Sequence, residues 1–359
     1  MQAKYITAGL TKCIQSLILA KMKIFHLDTQ KGFRGGEQQL IYLALGLREL
    51  GVDSIIACSD ELYKKAQALG FETIDSKNFY KLQNTARKCD ILHTHASKAH
   101  TLGVILKLLT RKPLVYTRRV DYKQKKTSKI KYILTDKVVS VCNAVKQILY
   151  ENYQINSEVI YSSVDFSLLN QVDSQKVEAI KKQYGHPIIG NIGALTEQKD
   201  HKNLIDAASL LDKRYTFLIL GEGELKEELE NYAKQKGVNN VVFLGFKQDI
   251  QNYLAAFDLF AISSQNEGIC SSILQAFMFK VPTVATDAGG IVELIGNNQR
   301  GLIVPTKDAK SLAIAIEKML SDKELSQKLV SQAYEFAKDF SYKTMSQKYL
   351  YMYKSLLKT

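Results

Sequence analysis

The stretch SSQNEGICSSILQAFMFKVPTVATDAGGIVE, residues 263–293, decides the predicted fold. It reads as a strand end, a tight acidic loop, a helix beginning near Ile269, a strand over residues 282–286 and a turn at Gly289–Gly290. A strand-loop-helix-strand unit places a helix N-terminus at the carboxyl edge of a parallel sheet. Backbone N–H groups at such an edge bind anions, typically phosphate.

Glu267 lies in the loop just before this helix, and Gln275 lies further along the helix itself. A carboxylate beside a phosphate site is electrostatically unfavourable, so we expect Glu267 to have another partner, and sugar hydroxyls would suit it. Acidic residues near helix N-termini also cap helices, so a purely structural role for Glu267 stays open at this point.

Length and composition predict two globular domains. The 359 residues are 46% hydrophobic and 24% charged, and the five cysteines are widely spaced without a C-x-x-C pair. This cysteine usage suits a reducing compartment and argues against a zinc site or a disulfide framework. The net charge of +13 points to an anionic partner, with nucleic acid, anionic lipid and phosphorylated substrates as candidates.

Residues 1–21 stand apart from this pattern. Their apolar run is too short to span a bilayer, which takes about 20 apolar residues. They are interpreted either as a weak interfacial helix or as an extension created by a translation start placed too early, since Met22 begins the first strand.

From Met22 onward, short apolar strands alternate with amphipathic helices, first as far as the strand at Glu158 and again from Pro187 to Pro305. A polar, helical stretch separates the two sets, which places the boundary between residues 164 and 173. Such alternation predicts parallel sheets covered by helices on both faces. We therefore predict an α/β chain of two Rossmann-like domains, with ligands in the cleft between them.

Several common nucleotide-binding and protease classes are excluded. The first strand-helix turn carries Gly32, Gly35 and Gly36, which is the wrong spacing for the dinucleotide fingerprint G-x-G-x-x-G. Oxidoreductase activity is therefore disfavoured. A Walker A loop and an H-E-x-x-H motif are absent from the sequence, which excludes P-loop nucleotide hydrolysis and zinc proteolysis of that kind.

Six motifs in register carry a resemblance that spans residues 22–357. They are GGE at 35–37, HTHASKAHTLG at 93–103, GALTEQKDHKNLI at 193–205, LILGEGELKEELE at 218–230, FLGFKQDI at 243–250, and S-x-x-x-E-G at 263–268 followed by PTVATDAGGIVELI. With these motifs the chain resembles the retaining glycosyltransferases of the GT-B fold, in glycosyltransferase family 4. The resemblance implies domains over residues 22–165 and 166–340, with residues 341–359 forming a helix that returns to the first domain.

The resemblance also implies roles for individual residues. The second domain would bind a nucleotide-diphosphate sugar and the first domain an acceptor, with the anomeric configuration retained. Glu267 would hold hydroxyls of the transferred sugar, and Lys199 would neutralise the diphosphate. The backbone of Phe246 would contact the edge of the nucleotide base. Gly35 and Gly36 would let the backbone approach the donor closely. The donor-binding residues implied are Gly35, Gly36, Phe246, Gly268, Ile269, Cys270, Ser271 and Gln275.

Three departures from the family pattern change these expectations. Gln275 replaces a second glutamate that would bind ribose, which removes one charged hydrogen bond and about 1–2 kcal/mol of donor affinity. Ala194 stands where many members carry arginine, leaving more of the diphosphate to Lys199. Arg118 and Arg119 lie where many members carry a histidine, and we expect this pair to bind an anionic group of acceptor or donor. A surface pair within a basic patch is the alternative.

We accordingly predict Arg119 as a catalytic residue beside Glu267 and Lys199, and Arg118 as an acceptor-binding residue. His93 and His95 alternate along one strand and point the same way. His95 is interpreted as a hydrogen-bonding residue for the acceptor, His93 as a packed side chain. His100 is expected near the acceptor because it opens a helix. A metal pair is conceivable, but the family does not normally need one, so no metal or other cofactor is predicted.

A basic patch runs from Arg111 to Lys137, with ten Lys or Arg residues against two Asp residues. No nucleic-acid-binding module accompanies it, so nucleic acid is not a predicted partner. A membrane surface is the predicted one, since each basic residue near anionic headgroups contributes about 1 kcal/mol of binding. A solvated surface is the alternative.

The sequence thus predicts a cytoplasmic enzyme, peripheral on the inner face of the plasma membrane, in cell-surface polysaccharide or lipopolysaccharide assembly. Its partners would be a nucleotide sugar and a glycan or lipid-linked acceptor. Two alternatives remain: a sugar-nucleotide-binding protein with impaired catalysis, suggested by Gln275 and Ala194, and a GT-B sugar-nucleotide epimerase.

Overall fold

The structure is a computed structural model that describes residues 22–120 and 126–357. The predicted N-terminal extension, residues 1–21, lies outside the described residues. The same holds for the part of the basic patch at residues 121–125.

The first domain is a seven-stranded parallel sheet in the order β3-β2-β1-β4-β5-β6-β7. Its strands are β1 (Lys23–Leu27), β2 (Asp53–Cys58), β3 (Glu72–Asp75), β4 (Ile91–Thr94), β5 (Leu114–Arg118), β6 (Lys137–Ser140) and β7 (Glu158–Val159). The helices between them are α1 (Gly35–Glu49), α2 (Asp60–Ala68), α3 (Phe79–Lys88), α4 (Ser97–Thr110), α5 (Lys129–Ile133) and α6 (Asn143–Tyr153).

The second domain is a six-stranded parallel sheet in the order β10-β9-β8-β11-β12-β13. Its strands are β8 (Ile188–Ile192), β9 (Thr216–Leu220), β10 (Val241–Gly245), β11 (Leu259–Ile262), β12 (Thr283–Thr286) and β13 (Leu302–Val304). Its helices are α7 (Ser174–Tyr184), α8 (His201–Ser209), α9 (Lys226–Gln235), α10 (Ile250–Ala256), α11 (Ser271–Met278), α12 (Ile291–Ile295), α13 (Ala309–Ser321) and α14 (Lys323–Ala337).

The central strands are buried along almost their whole length because helices cover both faces of each sheet. In the second domain, Phe260 packs in the core on one face of the sheet, whereas its neighbours Leu259 and Ala261 pack on the other. This alternation follows from the two-residue period of a strand. The predicted α/β class with two Rossmann-like domains is confirmed.

The last helix, α15 (Tyr342–Leu357), crosses back onto the first domain, as the resemblance implies. It lies so close to α1 that a Cβ on Gly46 would come within 2.2 Å of Ser346 Oγ. Further along α15, the Tyr349 and Tyr353 hydroxyls lie 2.8 Å from Thr117 Oγ1 and 2.6 Å from His93 Nδ1. The end of the chain is therefore part of the core of the first domain.

One predicted boundary needs correction. Helix α11 begins at Ser271 rather than near Ile269, because Cys270 keeps extended backbone angles and serves as the residue preceding the helix. The four cysteines among the described residues are buried and form no disulfide with one another, as expected for thiols in apolar packing. Within the described part of the chain, we find no helix with the length and apolar character needed to cross a bilayer.

Five of the six histidines are buried. Burial lowers the pKa of His26 and His100 to about 3 and that of His201 to about 4, and it lowers the pKa of His93 and His95 well below the ordinary value. The charged imidazolium would have to be desolvated, so the folded protein holds these rings neutral.

We predict that the protein loses stability as the pH falls below 6.5. Below that pH, which is the ordinary histidine pKa, the unfolded chain binds protons that the folded chain excludes. The free energy of unfolding should fall by about 1.4 kcal/mol per pH unit for each such histidine. Urea unfolding at pH 7.5, 6 and 5 measures this slope. Equal stability at the three pH values would show that the histidines protonate within the fold.

Candidate functional site

The carboxyl ends of the two sheets face each other, and the loops that follow them touch. Cys142, after β6, donates its thiol hydrogen to the Gly268 carbonyl oxygen across the cleft at 2.7 Å. A Cβ on Gly268 would lie 2.0 Å from the Arg119 carbonyl oxygen of the opposite domain. Only glycine fits at this contact. The loop that contains Glu267 is therefore held directly against the first domain.

Glu267 and Lys199 form an ion pair inside the cleft. Lys199 ends the short turn that follows β8, and Glu267 lies in the loop that follows β11, the strand beside β8. Their side chains are only 17% and 11% exposed, and Ser264 Oγ donates to Glu267 Oε1 at 2.9 Å. The two residues predicted to bind sugar and diphosphate thus meet at one point. Low exposure and two fixed partners hold the carboxylate in one orientation.

The glycine loop of the first domain lies at the N-terminus of α11. A Cβ on Gly35 would be 3.7 Å from Ser271 Oγ, and a Cβ on Gly36 would be 3.6 Å from Arg119 Cδ. Gly35 itself begins α1. Two helix N-termini, each with partial positive charge, are therefore brought close together across the cleft, which favours an anionic ligand between them.

Ile269 and Cys270 connect this site to the hydrophobic packing. The Ile269 side chain packs against the apolar cluster of Val141, Cys142 and Val145 in the first domain. Cys270 is buried, with its sulfur 3.2 Å from Ser272 Oγ, and burial raises the pKa of its thiol to about 11. The side chains fix the loop, so any contribution to donor binding would come from backbone N–H groups, as predicted.

Arg119 lies in the cleft. Its Nη2 is 3.3 Å from His95 Nδ1, and its buried Nε has no hydrogen-bond partner among the described residues. A buried guanidinium N–H without an acceptor is costly unless a ligand supplies one. This geometry suits the predicted contact with an anionic group.

Asp28, which sequence reasoning missed, shares this environment. It follows β1 and is buried, and burial raises the pKa of its carboxyl group to about 6, while the positive charge of Arg119 opposes the shift. Its position at the carboxyl end of the first strand was the available signal, because ligands of such folds bind there.

His95 belongs to a buried cluster with His26 and His93. His26 Nδ1 is 3.1 Å from His95 Nε2, and His93 is hydrogen-bonded through both ring nitrogens, to Tyr353 and Thr117. Within the described residues these three histidines form the one group with ligand atoms close enough for a metal, all within 4.8 Å of one another. Every ring nitrogen already has a hydrogen-bond partner, since Ser54 and Arg119 occupy the remaining two. A metal would have to displace these bonds, and the prediction of no metal remains untested.

The structure does not bring Arg118 and His100 to the cleft. Arg118 is fully buried, and its guanidinium donates to the Val120 carbonyl oxygen at 3.0 Å and to the Tyr132 hydroxyl at 2.7 Å. The His100 ring stacks on Tyr116 at 3.9 Å between centroids. Neighbouring residues at a strand end point to opposite faces, so only one of the two arginines can face the ligand. The predicted acceptor-binding roles of Arg118 and His100 have no support in this geometry.

Gln275 and Phe246 mark the far side of the predicted donor site. Gln275 is half-buried on α11, beyond the helix N-terminus at Ser271. Phe246 is 60% exposed after β10, and its backbone N–H donates to Glu222 Oε1 at 3.3 Å. Strands β9 and β8 separate β10 from β11, so a ligand that reaches both Phe246 and Glu267 must be extended.

Glu293 is a second residue that sequence reasoning missed. Its carboxylate, on α12 of the second domain, accepts hydrogen bonds from the backbone N–H groups of Asn143 and Ala144, at 3.0 and 2.8 Å, and from the Tyr161 hydroxyl at 3.0 Å. Asn143 and Ala144 begin α6 of the first domain, so a residue of one domain caps a helix of the other. No sequence signal links residues 150 positions apart.

We predict that Glu293→Ala loosens the contact between the domains. Loss of a charged cap should lower the free energy of unfolding by about 1–2 kcal/mol and raise the radius of gyration in solution. Chemical denaturation and small-angle X-ray scattering measure these changes. Glu335→Ala is the matched control, because Glu335 forms an exposed ion pair within the second domain. Equal effects of the two substitutions would contradict an interdomain role.

Two family models match the chain, one in each half. The model described as Glycosyltransferase Family 4 matches residues 33–168, and the model described as Glycosyl transferases group 1 matches residues 173–336. Together they include every strand of the two sheets except β1.

Two relatives illustrate the similarity to characterised sequences. The lipopolysaccharide core biosynthesis glycosyltransferase LpsE of Rhizobium meliloti is 32% identical over 46% of this chain and 48% of its own length. The N,N'-diacetylbacillosaminyl-diphospho-undecaprenol alpha-1,3-N-acetylgalactosaminyltransferase of Campylobacter jejuni is 25% identical over 87% of this chain and 88% of its own length. For LpsE and two further relatives, the chain spans only 48%, 58% and 53% of the relative's length.

Among solved structures, a glycosyltransferase from Rickettsia africae ESF-5 superposes with a TM-score of 0.84 and is 26% identical. The superposition covers 94% of this chain and 99% of that structure.

Proposed function

Because this chain belongs to the glycosyltransferases of the GT-B fold, we propose that it transfers a sugar from a nucleotide-diphosphate donor to a glycan or lipid-linked acceptor. The observation that carries this proposal is the Lys199–Glu267 ion pair at the N-terminus of α11, opposite Arg119. One anion-binding element and one fixed carboxylate side by side suit a ligand with a phosphate end and a hydroxyl-rich end.

In the proposed reaction, the bond between the anomeric carbon and the diphosphate oxygen breaks, the acceptor hydroxyl oxygen forms the new bond, and the proton of that hydroxyl passes to the departing diphosphate. Negative charge develops on the leaving diphosphate. Backbone N–H groups of Cys270 and Ser271, together with Lys199, would stabilise that charge without reorganising, which lowers the barrier. Glu267 would hold the sugar through its hydroxyls. Retention of the anomeric configuration is part of the proposal and rests on the family resemblance.

The first domain would supply the acceptor side. Arg119 has a buried Nε without a partner in the part of the chain that the structure describes, and this N–H would bind an anionic group of the acceptor or the donor phosphates. The neutral His95 ring beside it would orient the guanidinium. A phosphate near the acceptor hydroxyl fits a lipid-diphosphate-linked glycan, and the substrate in the Campylobacter jejuni relative's name is of this class.

We place the protein in cell-surface polysaccharide or lipopolysaccharide assembly, in the cytoplasm and on the inner face of the plasma membrane. The names of the Rhizobium meliloti and Campylobacter jejuni relatives support the process. We also propose that transfer needs no metal ion, because Lys199 and the α11 N-terminus supply positive charge at the diphosphate. A binding protein with impaired catalysis is the second candidate, favoured by Gln275 at the ribose position.

Purified protein should be stabilised thermally by one class among UDP-, GDP- and ADP-sugars, and it should hydrolyse that donor slowly in the presence of EDTA. Glu267→Ala and Lys199→Ala should each lower hydrolysis by about 100-fold or more, as loss of a charge-stabilising group does. Lys202→Ala is the control, because Lys202 pairs with Glu228 at the surface. Donor binding without any turnover would support the binding protein, and stabilisation by no donor would contradict both functions.

We expect Gln275→Glu to be tolerated and to tighten donor binding. A carboxylate accepts a charge-assisted hydrogen bond from each of the two ribose hydroxyls. The Gln275 amide offers one neutral acceptor oxygen, so it loses one charged hydrogen bond, worth about 1–2 kcal/mol of binding free energy. Isothermal titration with the nucleoside diphosphate alone isolates the ribose contribution. Gln265→Glu serves as a charge control on the loop before α11. Weaker binding by Gln275→Glu would show that the ribose does not contact this side chain.

A further inference from the structure

Two neighbouring helices of the first domain expose apolar side chains to solvent. Six of the fifteen large apolar residues exposed among the described residues lie on α4 and α5 or directly after α5. The other nine are spread over the rest of the two domains. We call this region the α4–α5 surface, and its apolar members are Ile105, Leu108, Leu109, Ile130, Ile133 and Leu134.

The two helices form one continuous surface because polar contacts join them along their length. Lys131 Nζ donates to the Ser97 carbonyl oxygen at 3.3 Å near the start of α4, and His100 Nε2 lies 2.8 Å from Thr135 Oγ1. Near the end of α4, Lys107 pairs with Asp136 at 2.7 Å.

The apolar side chains recur at helical spacing on the outward side of each helix. Ile130, Ile133 and Leu134 are three and four positions apart, and Tyr132 between them points into the core. Contiguous exposed apolar groups of this kind mark a binding surface more often than scattered ones do.

The same two segments, residues 97–112 and 126–137, also expose positively charged side chains. Lys98, Arg111, Lys129 and Lys137 are exposed on the same two segments. Asp136 is the one carboxylate in residues 97–112 and 126–137, and Lys107 already neutralises it. An apolar centre with a cationic rim matches an anionic lipid bilayer, where acyl chains lie beneath negative headgroups.

We propose that the α4–α5 surface docks on an anionic bilayer with its apolar side chains inserted among the lipid headgroups. This inference rests on the proposed function, because docking would bring the enzyme to the membrane surface that holds a lipid-linked acceptor. It goes beyond electrostatic attraction, because insertion makes binding depend on particular apolar residues as well as on salt. Two copies of the surface would bring like charges together, so self-association is disfavoured.

The first experiment measures sedimentation of the full chain with phosphatidylcholine vesicles that contain or lack 30% phosphatidylglycerol, at low and physiological salt. Wild type should bind the anionic vesicles. The double substitution Ile130→Ser and Ile133→Ser keeps every charge and should weaken binding about tenfold. Leu210→Ser with Ile314→Ser is the matched control, because these side chains are 60% and 57% exposed on the second domain, against 63% and 64% for Ile130 and Ile133.

Insertion itself can be observed by fluorescence, because the chain contains no tryptophan. Ile133→Trp should shift its emission to shorter wavelength with anionic vesicles and be quenched by brominated acyl chains. Ile314→Trp should show neither effect.

Any of three results would overturn the proposal. Wild type does not bind the anionic vesicles, the variant Ile130→Ser with Ile133→Ser binds them as tightly as wild type, or the emission of Ile133→Trp does not shift when they are added. A wild-type dimer that Ile130→Ser with Ile133→Ser converts to a monomer would assign the surface to a second copy instead. Donor hydrolysis by each variant separates the two proposals. Hydrolysis without vesicle binding removes only the docking surface, and vesicle binding without hydrolysis of any donor removes only the enzymatic function.

Discussion

The two domains meet at Gly268, where only a residue without a side chain fits, and the geometry of the cleft depends on this contact. The Gly268 carbonyl oxygen accepts from Cys142, and the space for a Cβ is occupied by the Arg119 carbonyl oxygen. Glu293 strengthens the same contact by capping α6. Because Glu267 precedes Gly268 directly, the carboxylate proposed to hold the sugar is positioned by the packing between domains. Opening the domains would therefore also move Glu267 away from Arg119.

Charge in the cleft follows from burial. Lys199 and Glu267 are mostly buried and compensate each other, whereas Arg119 keeps one N–H donor that finds no acceptor within residues 22–120 and 126–357. The histidine cluster behind Arg119 is held neutral because desolvation opposes its protonation. The interior thus places the neutral His95 ring against the Arg119 guanidinium, with the Asp28 carboxyl group close enough to interact with its charge.

The two proposals use different parts of the first domain. The carboxyl edge of the sheet faces the second domain, whereas α4 and α5 turn apolar and basic side chains to solvent. Helix α15 ties the chain end into the same domain through Tyr349 and Tyr353. A rigid first domain that carries both surfaces would keep an acceptor-side cleft at a fixed height above a membrane.

The sequence by itself determined the alternating strands and helices, the two-domain α/β fold and the loop with Glu267, because these depend on local periodicity and short motifs. It also placed Lys199 and His95 at strand ends that open into the cleft. The tertiary structure alone decided which of Arg118 and Arg119 faces the cleft, buried His100 under Tyr116, and paired Glu293 with α6. Those outcomes depend on how distant segments pack, and local sequence carries no record of such contacts.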